Sequence, residues 1–240
     1  MTRKAIRGVL FDKDGTLFGF QETWAPWAAS LLRDLGGDGP RAAALAAALG
    51  FDLAERRFLP GSPAVAGTLA DQVAILLPHL PDWTAEGLRD HLTRSAADAV
   101  PVPAADLTAL LSDLRGRGMR IGVATNDGAF PARRHLEGAG IAALVDWMAG
   151  YDSGHGAKPE PGMLLAFARE TGLEPAEIVV VGDSLHDLHA ARAAGMVGVG
   201  VLTGTAPRRV LEPHADAVLG TVGELPDWLG ARAAAESGES

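Results

Sequence analysis

After its first apolar run this chain shows no second strand for about a hundred residues, and that gap limits its architecture more than any other feature. Val9-Leu10-Phe11 reads as a short buried strand, and the next strand-like run is Met119-Arg-Ile-Gly-Val-Ala124. A compact α/β unit returns to its sheet much sooner. The intervening stretch has helical periodicity instead. Trp24, Ala28, Leu31, Leu32 and Leu35 share a face that stops at Gly36-Gly37, Arg41 to Leu49 is rich in alanine, Leu69 to Leu77 continues, and Thr84 caps a run carrying Leu88, His91 and Leu92. No strand is expected there. Residues 19–100 therefore read as a helical insertion, with a hinge at Gly19-Phe20 and a return stiffened by Val100-Pro-Val-Pro103.

From Ala104 onward helix and strand alternate. Leu107, Leu110, Leu111 and Leu114 form a helix face, followed by strand 121–124, a helix around 132–137, a weak strand at 144–149, a helix over 163–170, strand 178–181, a helix over 188–194, strand 197–201 and a last apolar run at 217–219. This pattern predicts an α/β fold: a Rossmann-like parallel sheet core made of residues 1–18 and 101–240, covered on both faces, with an all-helical domain of residues 19–100 inserted into it. Right-handed crossovers then bring every strand's C-terminal end to one edge, where such sheets bind ligands.

Residues that can do chemistry gather at that edge. Asp12 and Asp14 follow the first strand, Gly15 lets the chain turn and Thr16 can hydrogen-bond across the turn. Asp, Asp, Gly and Thr at fixed spacing would arise by chance in roughly one chain in several hundred of this length, so an accidental acidic turn is the weaker reading. Thr125-Asn126 follows strand 121–124, Gly182-Asp183-Ser184 with Asp187 follows strand 178–181, and Lys158 precedes a helix entered at Pro159 to Pro161. Singly, Thr125 could be a cap, Lys158 a loop charge and Asp183 a turn residue. Together they need a cation, because two unit charges 4 Å apart repel by roughly 1 kcal/mol in water and about 4 kcal/mol near a protein surface. All-oxygen donors without cysteine point to Mg²⁺. A phosphate group could then approach Asp12 with that ion and Lys158 offsetting its charge.

In order and spacing, Asp12-Lys-Asp-Gly-Thr16, Thr125-Asn126, Lys158-Pro159 and Gly182-Asp-Ser-Leu-His-Asp187 resemble the four motifs of the haloacid dehalogenase-like (HAD) hydrolase superfamily, and the insertion resembles its helical C1-type cap. Within the superfamily the chain is most similar to the phosphoglycolate phosphatase-like branch. The resemblance implies that Asp12 is the nucleophile and forms an aspartyl-phosphate, and that Asp14 is general acid and then base. It implies that Thr125, Asn126 and Lys158 hold the phosphoryl group. Mg²⁺ would be bound by Asp12, Asp183 and the backbone carbonyl of Asp14, with Asp187 behind them. The carboxylate at Asp14 separates phosphatases from the dehalogenase and phosphonatase members, which lack it. Lys13 departs from the apolar residue common in this branch and is expected to point away from the cluster.

The expected function is a Mg²⁺-dependent phosphatase of a small phosphate monoester, phosphoglycolate or a similar compound. Three alternatives stay open at this point: a phosphomutase acting on a sugar phosphate, a signalling receiver module, and a non-enzymatic binding protein. Within the insertion, Glu55-Arg-Arg-Phe-Leu-Pro-Gly-Ser-Pro63 is the candidate specificity loop, where Arg56 or Arg57 could meet a substrate carboxylate. His155 and His186 are candidates for the border of the site, and Trp24, Trp27 and Trp83 read as packing. A net charge of −9 argues against a sequence-independent grip on nucleic acid or anionic membrane. No run reaches the ~20 apolar residues of a membrane span, and no secretory signal is evident, so a cytoplasmic enzyme, monomeric or homodimeric, is expected. Residues 233–240 read as a loose tail.

Overall fold

The computed structural model describes residues 4–59 and 61–237. In chain order, β1 (Gly8–Phe11) is followed by α1 (Phe20–Gly36), α2 (Pro40–Leu49), β2 (Phe51–Asp52), β3 (Arg57–Phe58), α3 (Pro63–Ala66), α4 (Leu69–Leu76) and α5 (Ala85–Ala97). Strand and helix then alternate through α6 (Leu107–Gly116), β4 (Arg120–Ala124), α7 (Ala129–Gly138), β5 (Trp147–Ala149), α8 (Gly162–Thr171), β6 (Ile178–Gly182) and α9 (Leu185–Ala194). The chain continues with β7 (Val197–Val201), α10 (Arg208–Leu211), β8 (Ala217–Leu219) and α11 (Leu225–Ser237).

The strands of the main sheet lie in the order β5-β4-β1-β6-β7-β8 and are parallel throughout. Strand β1 is central, and Phe11 lies opposite Val123 on one side and Val181 on the other. The residues that follow these three strands therefore emerge side by side. Alternation along the strands divides the core in two. Val9, Phe11, Ile121, Val123, Val179 and Val181 pack against α6 through Leu107, Leu110, Leu111 and Leu114 on one face. Leu10 and Val180 pack against Met163, Leu164 and Phe167 of α8 on the other. Both faces are covered, as parallel strands require, and each fully buried leucine contributes roughly 1.5–3 kcal/mol.

Helices α1, α2, α4 and α5 bury a third apolar cluster of their own, including Trp24, Leu31, Leu32, Leu45, Leu76, Leu88 and Leu92. Thr68 and Thr84 cap α4 and α5 with their hydroxyls, which is where polar side chains satisfy free N–H groups. The two connections to the sheet run side by side: Gly19 N–H donates to Val102 O at 2.9 Å, Ala104 N–H to Leu17 O at 2.9 Å, and Val102 N–H to Thr23 Oγ1 at 3.0 Å.

Four expectations need correction. Residues 19–100 do contain a strand pair, the two-residue hairpin of β2 and β3, too short for side-chain alternation to register. The chain from Ala233 is helical as far as Ser237, because the alanines extend α11; residues 238–240 lie outside the described residues. Thr16 is buried, and its hydroxyl makes no hydrogen bond; the turn is held by Gly15 N–H to Phe18 O and Phe18 N–H to Lys13 O instead. Lys13, expected to point away, is fully buried and tied to Asp14.

Candidate active site

The C-terminal ends of β1, β4 and β6 bring the motif residues together. Asp12 N–H donates to Val181 O at 2.8 Å, and Thr125 N–H to Ala149 O at 3.0 Å, so both residues continue the sheet by one hydrogen bond before the chain turns away. Asp12, Thr125, Lys158, Asp183 and Asp187 are all buried. With Asp14 and Asn126 they line one cavity of about 140 Å³ between the sheet edge and the inserted helices.

Lys158 stands at the centre of the charge arrangement. Its Nζ donates to Asp12 Oδ1 at 2.6 Å, Asp187 Oδ1 at 2.6 Å and Ala124 O at 2.7 Å, which engages all three ammonium protons. Burial alone would depress this ammonium, yet Asp12 and Asp187 outweigh it and hold Lys158 above the usual lysine range. Asn126 fixes the lysine from behind: its Nδ2 donates to Lys158 O at 2.9 Å and its Oδ1 accepts from Lys158 N–H at 2.8 Å. The Asn126 side chain, expected on the phosphate, is thus engaged by the Lys158 backbone. Thr125 Oγ1 accepts from Asp127 N–H at 3.0 Å, leaving its hydroxyl proton free to donate.

The carboxylates meet as a group. One oxygen from each of Asp12, Asp183 and Asp187 lies within 4.8 Å of the others. Burial, reinforced by neighbouring Asp187 and Asp14, pushes Asp12 up to about 7 in spite of Lys158. Burial, then the charges of Asp12 and Asp187, lifts Asp183 well above the carboxylate range. Two glycines make this crowding possible. Gly15 has φ +83°, and a Cβ there would stand 2.5 Å from Asp183 Oδ2; a Cβ on Gly204 would overlap the same carboxylate. The donor set is oxygen only and buried, which fits a hard divalent cation such as Mg²⁺. Asp187, expected behind the metal ligands, has Oδ1 engaged by Lys158 and Oδ2 by the N–H and hydroxyl of Ser184 at 3.1 and 2.6 Å, so it orients its neighbours.

The Asp14 carboxylate is not in this group. It turns toward a second buried cluster that the sequence reading missed. Lys13 Nζ lies 2.8 Å from Asp14 Oδ2, 3.0 Å from Asp127 Oδ2 and 3.0 Å from His135 Nδ1. Trp24 Nε1 of α1 donates to Asp14 Oδ1 at 2.8 Å. An ammonium only donates, so His135 Nδ1 accepts from Lys13 and the protonated Nε2 donates to Ala96 O of α5 at 2.9 Å. Burial, then the Lys13 charge, holds His135 below its ordinary value. Burial would also lower Lys13, but Asp14 and Asp127 more than offset it. The inserted helices thus touch the Asp14 carboxylate directly through Trp24 and indirectly through His135. No spacing rule announces this: Lys13 and His135 are 122 residues apart.

Lys13→Met is expected to destabilise the chain by about 2–4 kcal/mol in urea denaturation, somewhat below the loss for a fully buried pair because Asp14 and Asp127 keep 17% and 18% side-chain exposure. A loss under 0.5 kcal/mol would remove the cluster's structural importance. The pH dependence has a defined sign. Since the folded chain resists protonating His135, the stability this residue contributes is complete above about 6.5 and declines as pH falls below it.

The other candidates divide. His186 and both Trp24 and Trp27 line the cavity, so these tryptophans do more than pack. His155 instead stacks near Trp147, and Trp83 packs on His91. Arg56 borders a separate surface groove with Ala29 and Arg33, and Arg57 is exposed on β3. Of the candidate specificity loop, Phe58 is the residue nearest the arginines that lines the cavity; Pro60 lies outside the described residues.

Comparison with known proteins gives a consistent result. A family model described as haloacid dehalogenase-like hydrolase matches residues 6–195. The chain is 37% identical over 145 residues to a phosphoglycolate phosphatase of Rhodospirillum rubrum, covering 58% of this chain and 60% of that protein. It is 33% identical over 141 residues to a phosphoglycolate phosphatase of Neisseria meningitidis serogroup A, covering 59% and 55%. These matches span three-fifths or less of the relatives' length. A crystal structure of a predicted phosphoglycolate phosphatase from Haemophilus somnus superposes with a TM-score of 0.71 at 19% identity, covering 92% of this chain and 97% of that one, a likeness of fold.

Proposed function

The chain belongs to the haloacid dehalogenase-like hydrolase family, and from that premise we propose that it is a Mg²⁺-dependent phosphatase of small phosphate monoesters that works through an aspartyl-phosphate on Asp12. The observation that carries the reading is the buried ammonium of Lys158 held 2.6 Å from both Asp12 and Asp187 at the edge of the sheet. We also read residues 19–100 as a cap over a core of residues 1–18 and 101–240, a division supported by the separate apolar cluster of the inserted helices.

Asp12 attacks phosphorus with one carboxylate oxygen while the ester oxygen leaves. The Lys158 N–H that now donates to Asp12 Oδ1 turns to a phosphoryl oxygen when substrate enters, so the ammonium keeps its proton and stabilises charge where it develops. The Thr125 hydroxyl donates to a second phosphoryl oxygen. Asp14, which takes up a proton from solvent before the step, gives it to the departing alkoxide, then takes one from the water that attacks phosphorus and frees Asp12. Asp12 and Asp183, with the backbone carbonyl of Asp14, would hold Mg²⁺, which supplies charge neutralisation to the carboxylates and the phosphoryl group. Trp24 and Leu92, which line the cavity, would shield the reacting groups from bulk water.

The test is release of inorganic phosphate from a panel of metabolite monoesters, with Mg²⁺ or with EDTA. Release that falls at least a hundredfold on chelation is expected. Isomerised sugar phosphate with little free phosphate would favour the mutase, and no turnover of any ester would overturn the assignment.

A further inference from the structure

We propose that the organic group of the ester this chain hydrolyses is small, uncharged and mainly apolar, and carries no carboxylate. The inference rests on the phosphatase reading and deepens it. It starts from the wall that faces the phosphoryl site. That wall comes from the inserted helices and hairpin and presents Trp24, Trp27, Phe58, Val65, Leu69 and Leu92. Polar groups on it are few. The Thr93 hydroxyl already donates to Arg89 O at 2.9 Å and keeps only acceptor capacity. The Gln72 amide is the remaining side chain there able to both donate and accept.

Among the described residues, no arginine lines the cavity, and the single lysine is Lys158 with its three protons engaged. The sheet edge adds Asp14, Asp127, Asp152, Asp183 and Asp187. A substrate carboxylate would leave water for an apolar wall that holds no cation, opposite a floor rich in carboxylates whose one imidazole, His186, stands among them. Burying an unpaired charge in this way is among the costliest acts in a protein interior. A ring or branched alkyl group would meet indole, phenyl and leucine surfaces instead, which is how apolar groups bind. The volume of about 140 Å³, close to that of an engineered cavity that accepts benzene, must also admit the phosphoryl group, so one ring is the upper limit for the organic group.

The experiment compares two alkyl esters with similarly poor leaving groups, benzyl phosphate and 2-phosphoglycolate, on the full chain with Mg²⁺. Benzyl phosphate is expected to have a kcat/KM at least tenfold higher, with most of the difference in KM. Gln72→Arg, which adds a cation to the wall, is expected to lower KM for phosphoglycolate at least tenfold. Equal or better use of phosphoglycolate by the unmodified chain overturns the inference while the phosphatase reading stands. Should neither ester be hydrolysed, that reading fails, and binding decides the matter: calorimetry with the non-hydrolysable benzylphosphonate and phosphonoacetate supports the apolar assignment if the former binds at least tenfold tighter. Equal or tighter binding of phosphonoacetate rejects it.

Discussion

Asp12→Asn is expected to reduce phosphate release by roughly 10⁴-fold or more, the scale on which loss of a nucleophile acts, while leaving the fold intact. Asparagine has the same shape but a much weaker nucleophile, and it removes a charge that the site holds at a cost. Burial has raised Asp12 to about 7, well above its ordinary value. A group shifted upward contributes most below its unfolded value and loses that contribution as pH rises through the folded one. In EDTA at pH 8, therefore, the variant should be no less stable than the parent in urea denaturation. Lys158 keeps two of its three partners, Asp187 Oδ1 and Ala124 O, so it is not left as an isolated buried cation. Turnover within tenfold of the parent would exclude Asp12 as the nucleophile.

The second large effect concerns Asp14. Asp14→Asn is expected to lower kcat by about 10²–10⁴ with little change in KM, the usual size of a general acid–base contribution. Asparagine is a better probe than alanine, because it keeps an acceptor for Trp24 Nε1, which now donates to Asp14 Oδ1 at 2.8 Å. The diagnostic readout is leaving-group dependence. With p-nitrophenyl phosphate the departing phenolate needs no proton, so the variant should release a burst of one nitrophenol per site and then turn over slowly, since the acyl-phosphate on Asp12 still awaits a deprotonated water. Uniform loss with every ester and no burst would make Asp14 a structural residue.

The sequence revealed the groups whose positions depend on topology. Asp12, Thr125 and Asp183 each stand just past a strand whose order in the sheet follows from crossover handedness, and the observed register brings β1 between β4 and β6. Asn126 lies in the cavity lining, at the strand end where the sequence places it, but its orientation is not legible there, since an amide chooses between phosphate and backbone by local geometry. Lys13 was misread because alternation along a strand says which way a residue leaves the sheet and nothing about what waits there. Its partners Asp127 and His135 come from the loop and helix after β4, and only packing brings them within 3.0 Å. The same holds for Trp24. Helical spacing assigned it correctly to a buried face, while its N–H partner lies ten residues back across a turn.

The connections at Gly19 and Val102 carry a consequence for how this architecture varies. Entry and exit are hydrogen-bonded neighbours, so everything between them behaves as a cassette spliced in at one point. Its length and content can change without moving any strand of the six-stranded sheet, much as insertions are tolerated where a unit's two ends already meet. The motif residues thereby stay with the sheet, while the wall opposite them becomes a part that can be exchanged.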